Sequence, residues 1–135
     1  MAARYLLDTD TCVYFLKRRE PRILRRVQAH AHHAAISVIT LGELEFGRAG
    51  SSDPGAVRAA IDLLLETFEV AALPAAAAEP YGRVRAALRT RGTPIGQNDL
   101  WLAAQALAAD LVLVTNNERE FGRVPGLRVE NWTKQ

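Results

Sequence analysis

Asp8, Glu43, Asp99 and Glu120 are acidic residues far apart in the chain that share one local setting. Asp8 ends the apolar run Arg4-Tyr5-Leu6-Leu7-Asp8. Glu43 lies just inside a helix that follows a second apolar run, and Asp99 opens another helix. Glu120 comes after Leu113-Val114-Thr115-Asn116-Asn117. In an open parallel sheet the carboxyl ends of the strands converge on one crevice, where ligands bind. Carboxylates gathered there repel one another unless a cation sits between them. A hard divalent cation held by a few carboxylates and waters is the usual solution. That chemistry points to metal-assisted phosphodiester cleavage.

The elements that must position these acids can be read from apolar spacing and turn residues. Residues 4–8 read as a strand, and Thr9 or Asp10 caps a short helix through Leu16. Glu20-Pro21 starts a second helix, with Pro at a tolerated first-turn position and Ile23, Leu24 and Val27 at helical spacing. Residues 34–39 read as a strand. Thr40-Leu41-Gly42-Glu43 has the form of a capping box opening a helix towards Gly47. Residues 57–68 read as an amphipathic helix with Ile61, Leu64 and Leu65 inward. Further strands are predicted over 70–73, 111–115 and 127–130, the second of them buried on both faces. Further helices are predicted over 74–91, 98–109 and 118–121. Strands alternating with helices argue one domain over residues 1–135. Its fold would be a three-layer α/β/α arrangement around a central, mostly parallel sheet. The helices between Leu41 and Phe68 read as a hairpin able to extend from the core.

A chain of 135 residues suits one domain with a proper core, and 49% apolar content argues against disorder. No apolar run is long enough to cross a bilayer, and Met1-Ala2-Ala3-Arg4 shows no signal-peptide pattern. Cys12 is the only cysteine, so no internal disulfide is possible, which fits a reducing cytoplasm. The net charge is only +2, but the arginines are clustered. Lys17, Arg18, Arg19, Arg22, Arg25 and Arg26 form one group, and Arg83, Arg85, Arg89 and Arg91 another. Guanidinium matches phosphate in a bidentate way. Arg18, Arg19, Arg22, Arg85 and Arg89 are therefore candidate phosphate contacts to a polyanionic partner; the alternative is a solvated helix face.

Taken singly, each acid has a structural role open to it: Asp8, Glu43 and Glu120 in helix capping, Asp99 at the positive end of a helix dipole. The functional reading rests on all four falling at one edge of one sheet. His30, His32 and His33 sit at a helix end without a partner motif and read as surface residues. Cys12 has no base near it in sequence and reads as a small buried residue. Trp101 and Trp132 could stack on RNA bases, but Trp101 fits core packing better. Phe46, Leu63, Leu64 and Phe68 could line a groove or belong to the core.

The chain resembles the PIN-domain ribonucleases, most closely the VapC-type toxins of bacterial toxin–antitoxin pairs. The matching stretches are Tyr5-Leu6-Leu7-Asp8-Thr9, Ser37-Val38-Ile39-Thr40-Leu41-Gly42-Glu43-Leu44, Pro94-Ile95-Gly96-Gln97-Asn98-Asp99-Leu100-Trp101-Leu102-Ala103-Ala104, Leu113 through Phe121, and the tail from Arg123 to Trp132. They cover nearly the whole chain in order. The resemblance implies an endoribonuclease dependent on Mg²⁺ or Mn²⁺, with metal ligands Asp8 and Asp99. Glu43 and Glu120 complete the catalytic acids, and Thr115 supports them by hydrogen bonding. It implies a metal-activated water attacking the phosphodiester in line, leaving 5′-phosphate and 3′-OH ends. The substrate would be structured RNA, initiator tRNA included. A homodimer is implied, and a cognate antitoxin protein that covers the acidic crevice with an inserted arginine. In one departure, Asn117 stands where many relatives carry an acid. Either Glu120 supplies that charge or the site has three strong ligands.

Two rivals remain at this level. Asp8-Thr9-Asp10-Thr11 matches the opening motif of haloacid-dehalogenase-type phosphatases, but Lys17 and Lys134, the only lysines, do not fit that site. A non-catalytic RNA- or partner-binding domain on the same fold has Asn117 in its favour; Asp8, Glu43 and Asp99 argue against it.

Overall fold

Alternation along Tyr5–Leu7 divides the interior into two halves. Tyr5 and Leu7 point into one apolar cluster and Leu6 into another on the opposite face. This strand, β1, is the centre of a five-stranded, all-parallel sheet in the order β3-β2-β1-β4-β5. The other strands are β2 (Ala34–Ser37), β3 (Glu69–Ala71), β4 (Val112–Val114) and β5 (Val129–Glu130). Tyr5 pairs with Ala34 on one side and Val112 on the other, so β1 is hydrogen-bonded along both edges. The computed structural model describes residues 2–134. Met1, part of the N-terminal segment read as free of a leader pattern, and Gln135 lie outside the described residues.

One face of the sheet is covered by α1 (Thr9–Lys17), α2 (Pro21–His30) and α4 (Pro54–Thr67). Phe15, Ile23, Val27, Leu64 and Phe68 meet Tyr5, Leu7, Ile36 and Val114 there. The other face is covered by α5 (Ala78–Thr90), α6 (Gln97–Ala108) and α7 (Glu118–Phe121). Val84, Leu88, Leu102, Ala103 and Phe121 pack there on Leu6, Ala35 and Leu113. This is the expected three-layer α/β/α arrangement, with every strand parallel. No helix among the described residues is long and apolar enough to cross a membrane.

Helix α3 (Val38–Ala49) starts earlier than the sequence suggests. Ser37, not Thr40, caps it: its hydroxyl accepts from the Ile39 N–H at 3.0 Å and donates to buried Gln105 of α6 at 2.6 Å. A buried side chain that satisfies two polar groups outcompetes the local capping box, so Glu43 lies more than a turn into the helix. Asp8 is likewise the cap of α1, in place of Thr9 or Asp10. The predicted helix over 74–91 is interrupted near its start, where Ala75–Ala77 forms a 3₁₀ turn before α5.

Several side chains differ from expectation. Leu65 is 41% exposed, because Ile61 and Leu64 form the inward stripe of α4, with Phe68 buried just beyond its end. The groove considered for Phe46, Leu63, Leu64 and Phe68 is not formed: Leu64 and Phe68 are core, Leu63 packs against it, and only Phe46, on α3 beside α4, is exposed. Trp101 is half-buried and stacks on Tyr81 of α5, with centroids 3.8 Å apart. Trp132 is buried against Tyr5 and His30. Of the three histidines only His32 is exposed: His30 packs against both of those rings, and His33, the last residue of the 3₁₀ turn Ala31–His33, is half-buried.

Candidate active site

The strand order reverses between β1 and β4. The chain moves outward from β1 through β2 and β3, then returns to the other side of β1. The crevice beyond the carboxyl ends of adjacent strands at such a reversal is where open α/β sheets bind ligands. Asp8 follows β1 and Thr115 follows β4 at that point. The Asp8 N–H donates to the Val114 carbonyl at 3.0 Å, extending the ladder by one bond. Thr115 then donates its hydroxyl to Asp8 Oδ2 at 2.5 Å, and the Thr11 N–H donates to Asp8 Oδ1 at 2.8 Å. Each carboxylate oxygen is thus held by a different element.

Asp8, Thr9, Asp10, Glu43, Asp99, Asn117 and Phe121 line one cleft of about 180 Å³. Glu43 reaches it from α3 and is held by the Thr9 hydroxyl, which donates at 2.6 Å and lies 3.3 Å from the Thr40 hydroxyl. Asp99 enters from the first turn of α6, close to Gly96: a methyl group at Gly96 would lie 4.0 Å from its Oδ2. Glu120, on α7, does not line the cleft itself but is hydrogen-bonded to Asp99. Asn117 caps α7, accepting from the Glu120 N–H at 3.3 Å, and its amide donates to Glu120 Oε2 at 2.6 Å. The Asn117–Glu120 pair is therefore reciprocal, as in a capping box. Folding brings Asp8, Glu43, Asp99, Thr115 and Asn117 to one place, with Glu120 joined through Asp99.

Electrostatics express the crowding. Burial raises the Asp8 carboxyl above its ordinary value, against the opposing hydrogen bonds from Thr115 and Thr11. Burial, the hydrogen-bonding contact with Glu120, and the charges of Glu120, Glu43 and Asp8 push Asp99 up to about 7. A site that disfavours its own charges in this way favours a cation. Its donors are carboxylate oxygens backed by hydroxyls, the set a hard divalent ion takes. Among the described residues no three acidic, histidine or cysteine side chains are placed so that together they could hold a metal ion. Mg²⁺ asks for less: one or two carboxylates, with waters and substrate phosphates completing the octahedron. The residues present fit such an ion.

The PIN domain family matches residues 5–127. The chain belongs to the PIN domain family. Among relatives of this PIN domain, the tRNA(fMet)-specific endonuclease VapC of Salmonella typhimurium is 38% identical over 129 residues, covering 96% of this chain and 98% of the relative. Ribonuclease VapC2 of Haemophilus influenzae is 39% identical with the same coverage. The solved structure of DNA-bound VapBC from Salmonella typhimurium superposes with a TM-score of 0.91 at 38% identity, over 96% of this chain and 98% of that one. VapBC2 of Rickettsia felis, bound to a promoter DNA fragment, gives 0.89 at 35% identity, over 98% and 99%.

The candidate RNA contacts of this PIN domain divide into two sets. Arg18 ends α1 in the left-handed region, its guanidinium 5.2 Å from the Phe15 ring, and Arg22 pairs with Glu20. With exposed Arg19 they lie at the end of α1 away from Asp8, roughly 13 Å along the helix at 1.5 Å per residue. Arg85 and Arg89 instead border a hollow that includes Gln97, two residues before Asp99. From sequence, Thr9, Asp10 and Thr40 read as helix caps, and Thr9 and Asp10 also as part of the phosphatase-like motif, but not as neighbours of Glu43 in the acidic cleft. Thr9 and Asp10 immediately follow the strand-end Asp8, and this adjacency was the available signal; Thr40 had none, because its contact with Thr9 is purely tertiary. Tyr14 and Lys17, with Asp10 and Asn116, also line a hollow on the other flank of the cleft.

Proposed function

We propose that residues 1–135 act as one PIN domain, the toxin of a VapC-type pair, and that this toxin is a cytoplasmic endoribonuclease dependent on Mg²⁺, or Mn²⁺ in its place. The supporting observation is the Asp8–Thr115 bond at the strand-order reversal, with Glu43 and Asp99 lining the same cleft. Asp8 and Asp99 would hold the ion, with Glu43 and Glu120 completing the acidic set. Bound there, the ion supplies a polarised phosphodiester and a water acidified for in-line attack.

The chain's own residues do the rest. Thr115 and the Thr11 N–H keep both Asp8 oxygens oriented, and Thr9 does the same for Glu43. Asn117 holds Glu120 beside Asp99, whose carboxyl, pushed up to about 7, can keep a proton or give it up near neutral pH. Phe121 forms an apolar wall of the cleft. The relatives' names make initiator tRNA the first substrate to test, and the VapBC structures make a cognate antitoxin the first partner to test. A homodimer is part of the same proposal.

The deciding experiment is expression in bacteria of the wild-type chain and of Asp99→Asn, with RNA recovered from both. Growth arrest by the wild type alone, with new 5′-phosphate and 3′-OH ends, is expected. Equal growth in the two cultures removes the toxin reading, and 2′,3′-cyclic phosphate ends remove the water-attack mechanism.

A further inference from the structure

A second hollow of about 380 Å³ lies between α5 and α6, bordered by Arg85, Arg89, Ile95 and Gln97 over buried Leu88 and Leu100. It adjoins the acidic cleft across a single helical turn. Gln97 and Leu100 face the hollow, Asp99 between them faces the cleft, and Gly96 separates the two without a side chain.

The hollow carries two charges that have no acidic partner among the described residues. Arg85 and Arg89 are one turn apart on α5, a like-charged spacing that disfavours the helix. Both are exposed, and neither forms an ion pair among the described residues, whereas Arg83 on the same helix pairs with Glu79. The helix dipole accounts for Arg89 in the last turn but not for Arg85. Arg85 is also held in place: it donates to the Tyr81 hydroxyl at 2.9 Å, and the Tyr81 ring is stacked on Trp101 of α6. A guanidinium oriented in advance loses less freedom on binding an anion. The chemistry of the hollow is two cations at the rim above an apolar floor, with the Gln97 amide beside it. That matches a nucleotide, whose phosphate is anionic and whose base has an apolar face.

We propose that this hollow is the subsite for the nucleotide next to the cleaved linkage. Arg85 and Arg89 bind its phosphate, and Ile95, Leu88 and Leu100 receive its base. The proposal rests on the RNA-cleaving reading of the acidic cleft, and its test separates the two.

The test uses full-length Asp8→Asn in chelator, with a short fluorescent single-stranded RNA titrated at several salt concentrations, so that binding is read without cleavage. Adding Arg85→Ala and Arg89→Ala is expected to weaken binding roughly 10-fold or more. The slope of log affinity against log salt should become shallower by about 0.7, for one lost phosphate contact on a single strand. Arg128→Ala, whose partner Asp110 precedes β4 at the opposite end of the sheet, should change neither. A 4-thiouridine beside the cleaved linkage should cross-link to the peptide containing residues 94–100.

Unchanged affinity and slope in the double variant overturn the proposal, as does failure of the parent to bind RNA or cross-linking only elsewhere. If the parent cleaves RNA and the double variant binds like it, the subsite falls and the nuclease stands. If the wild type cleaves no RNA while the slope change is found, the nuclease falls and the subsite stands as an RNA contact.

Discussion

Thr115 donates a 2.5 Å hydrogen bond to Asp8 across the seam between β4 and β1, joining residues 107 apart in sequence. The same hydroxyl accepts from the Asn117 N–H at 2.9 Å. One buried side chain therefore orients the carboxylate at the end of β1 and sets the start of the turn that carries Asn117 and Glu120.

Thr115→Val keeps the shape of this residue and removes both bonds. Losing a partner of a buried charged group costs about 1–3 kcal/mol, read as a lower urea midpoint. Loss of a group that orients a metal-holding carboxylate costs roughly 10–100-fold in metal affinity or activity. Thr115→Ser should restore most of both. A valine variant as stable and active as the wild type would show that Asp8 needs no such support.

Asp99→Asn should separate stability from function. It removes a carboxylate whose ionisation is opposed first by burial and then by Glu120, Glu43 and Asp8. At pH 8 in chelator the variant should melt above the wild type, while RNA cleavage falls to background. A lower melting temperature there would mean that burial and repulsion of this charge do not outweigh the contacts that Asp99 makes.

The pH dependence follows from the same group. Asp99 titrates near 7 in the folded chain, against an ordinary value of 3.8. Below about 4 both folded and unfolded chains bind this proton. Between about 4 and 7 the unfolded chain releases it while the folded site keeps it, so stability falls as pH rises; above 7 the loss is complete. Asp8 is shifted in the same direction. A divalent ion binds the ionised form and should offset this loss. The rise in melting temperature produced by Mg²⁺ or Mn²⁺ should therefore be larger at pH 8 than at pH 5. Equal rises at the two pH values would place the ion somewhere other than between these carboxylates.

Asn117→Ala removes the cap of α7 and the amide bound to Glu120. The cap alone is worth about 1 kcal/mol. Asn117→Asp keeps a capping oxygen but turns a donor towards Glu120 into a like charge. It should lower stability in chelator and tighten Mn²⁺ binding, measured by calorimetry. No change in affinity would leave position 117 a purely structural cap.

Much of this molecule was legible from local pattern. Apolar strands alternating with amphipathic helices gave the layered α/β class, and Asp8, Glu43, Asp99 and Glu120 were recognisable as acids near strand ends or helix starts. Asn117 and Glu120 are close in sequence, so their reciprocal cap could be read directly. Other features depend on partners that sequence spacing does not reveal. The start of α3 was misplaced because Ser37 is held by Gln105, 68 residues on. The Thr9–Glu43 bond, the Tyr81–Trp101 stack and the hollow beside Arg85 arise where separate elements meet. Periodicity encodes which face of an element is buried. The order of strands around β1 and the packing of α6 on α5 decide which buried faces and acidic ends become neighbours, because those contacts exist only after the chain has closed on itself.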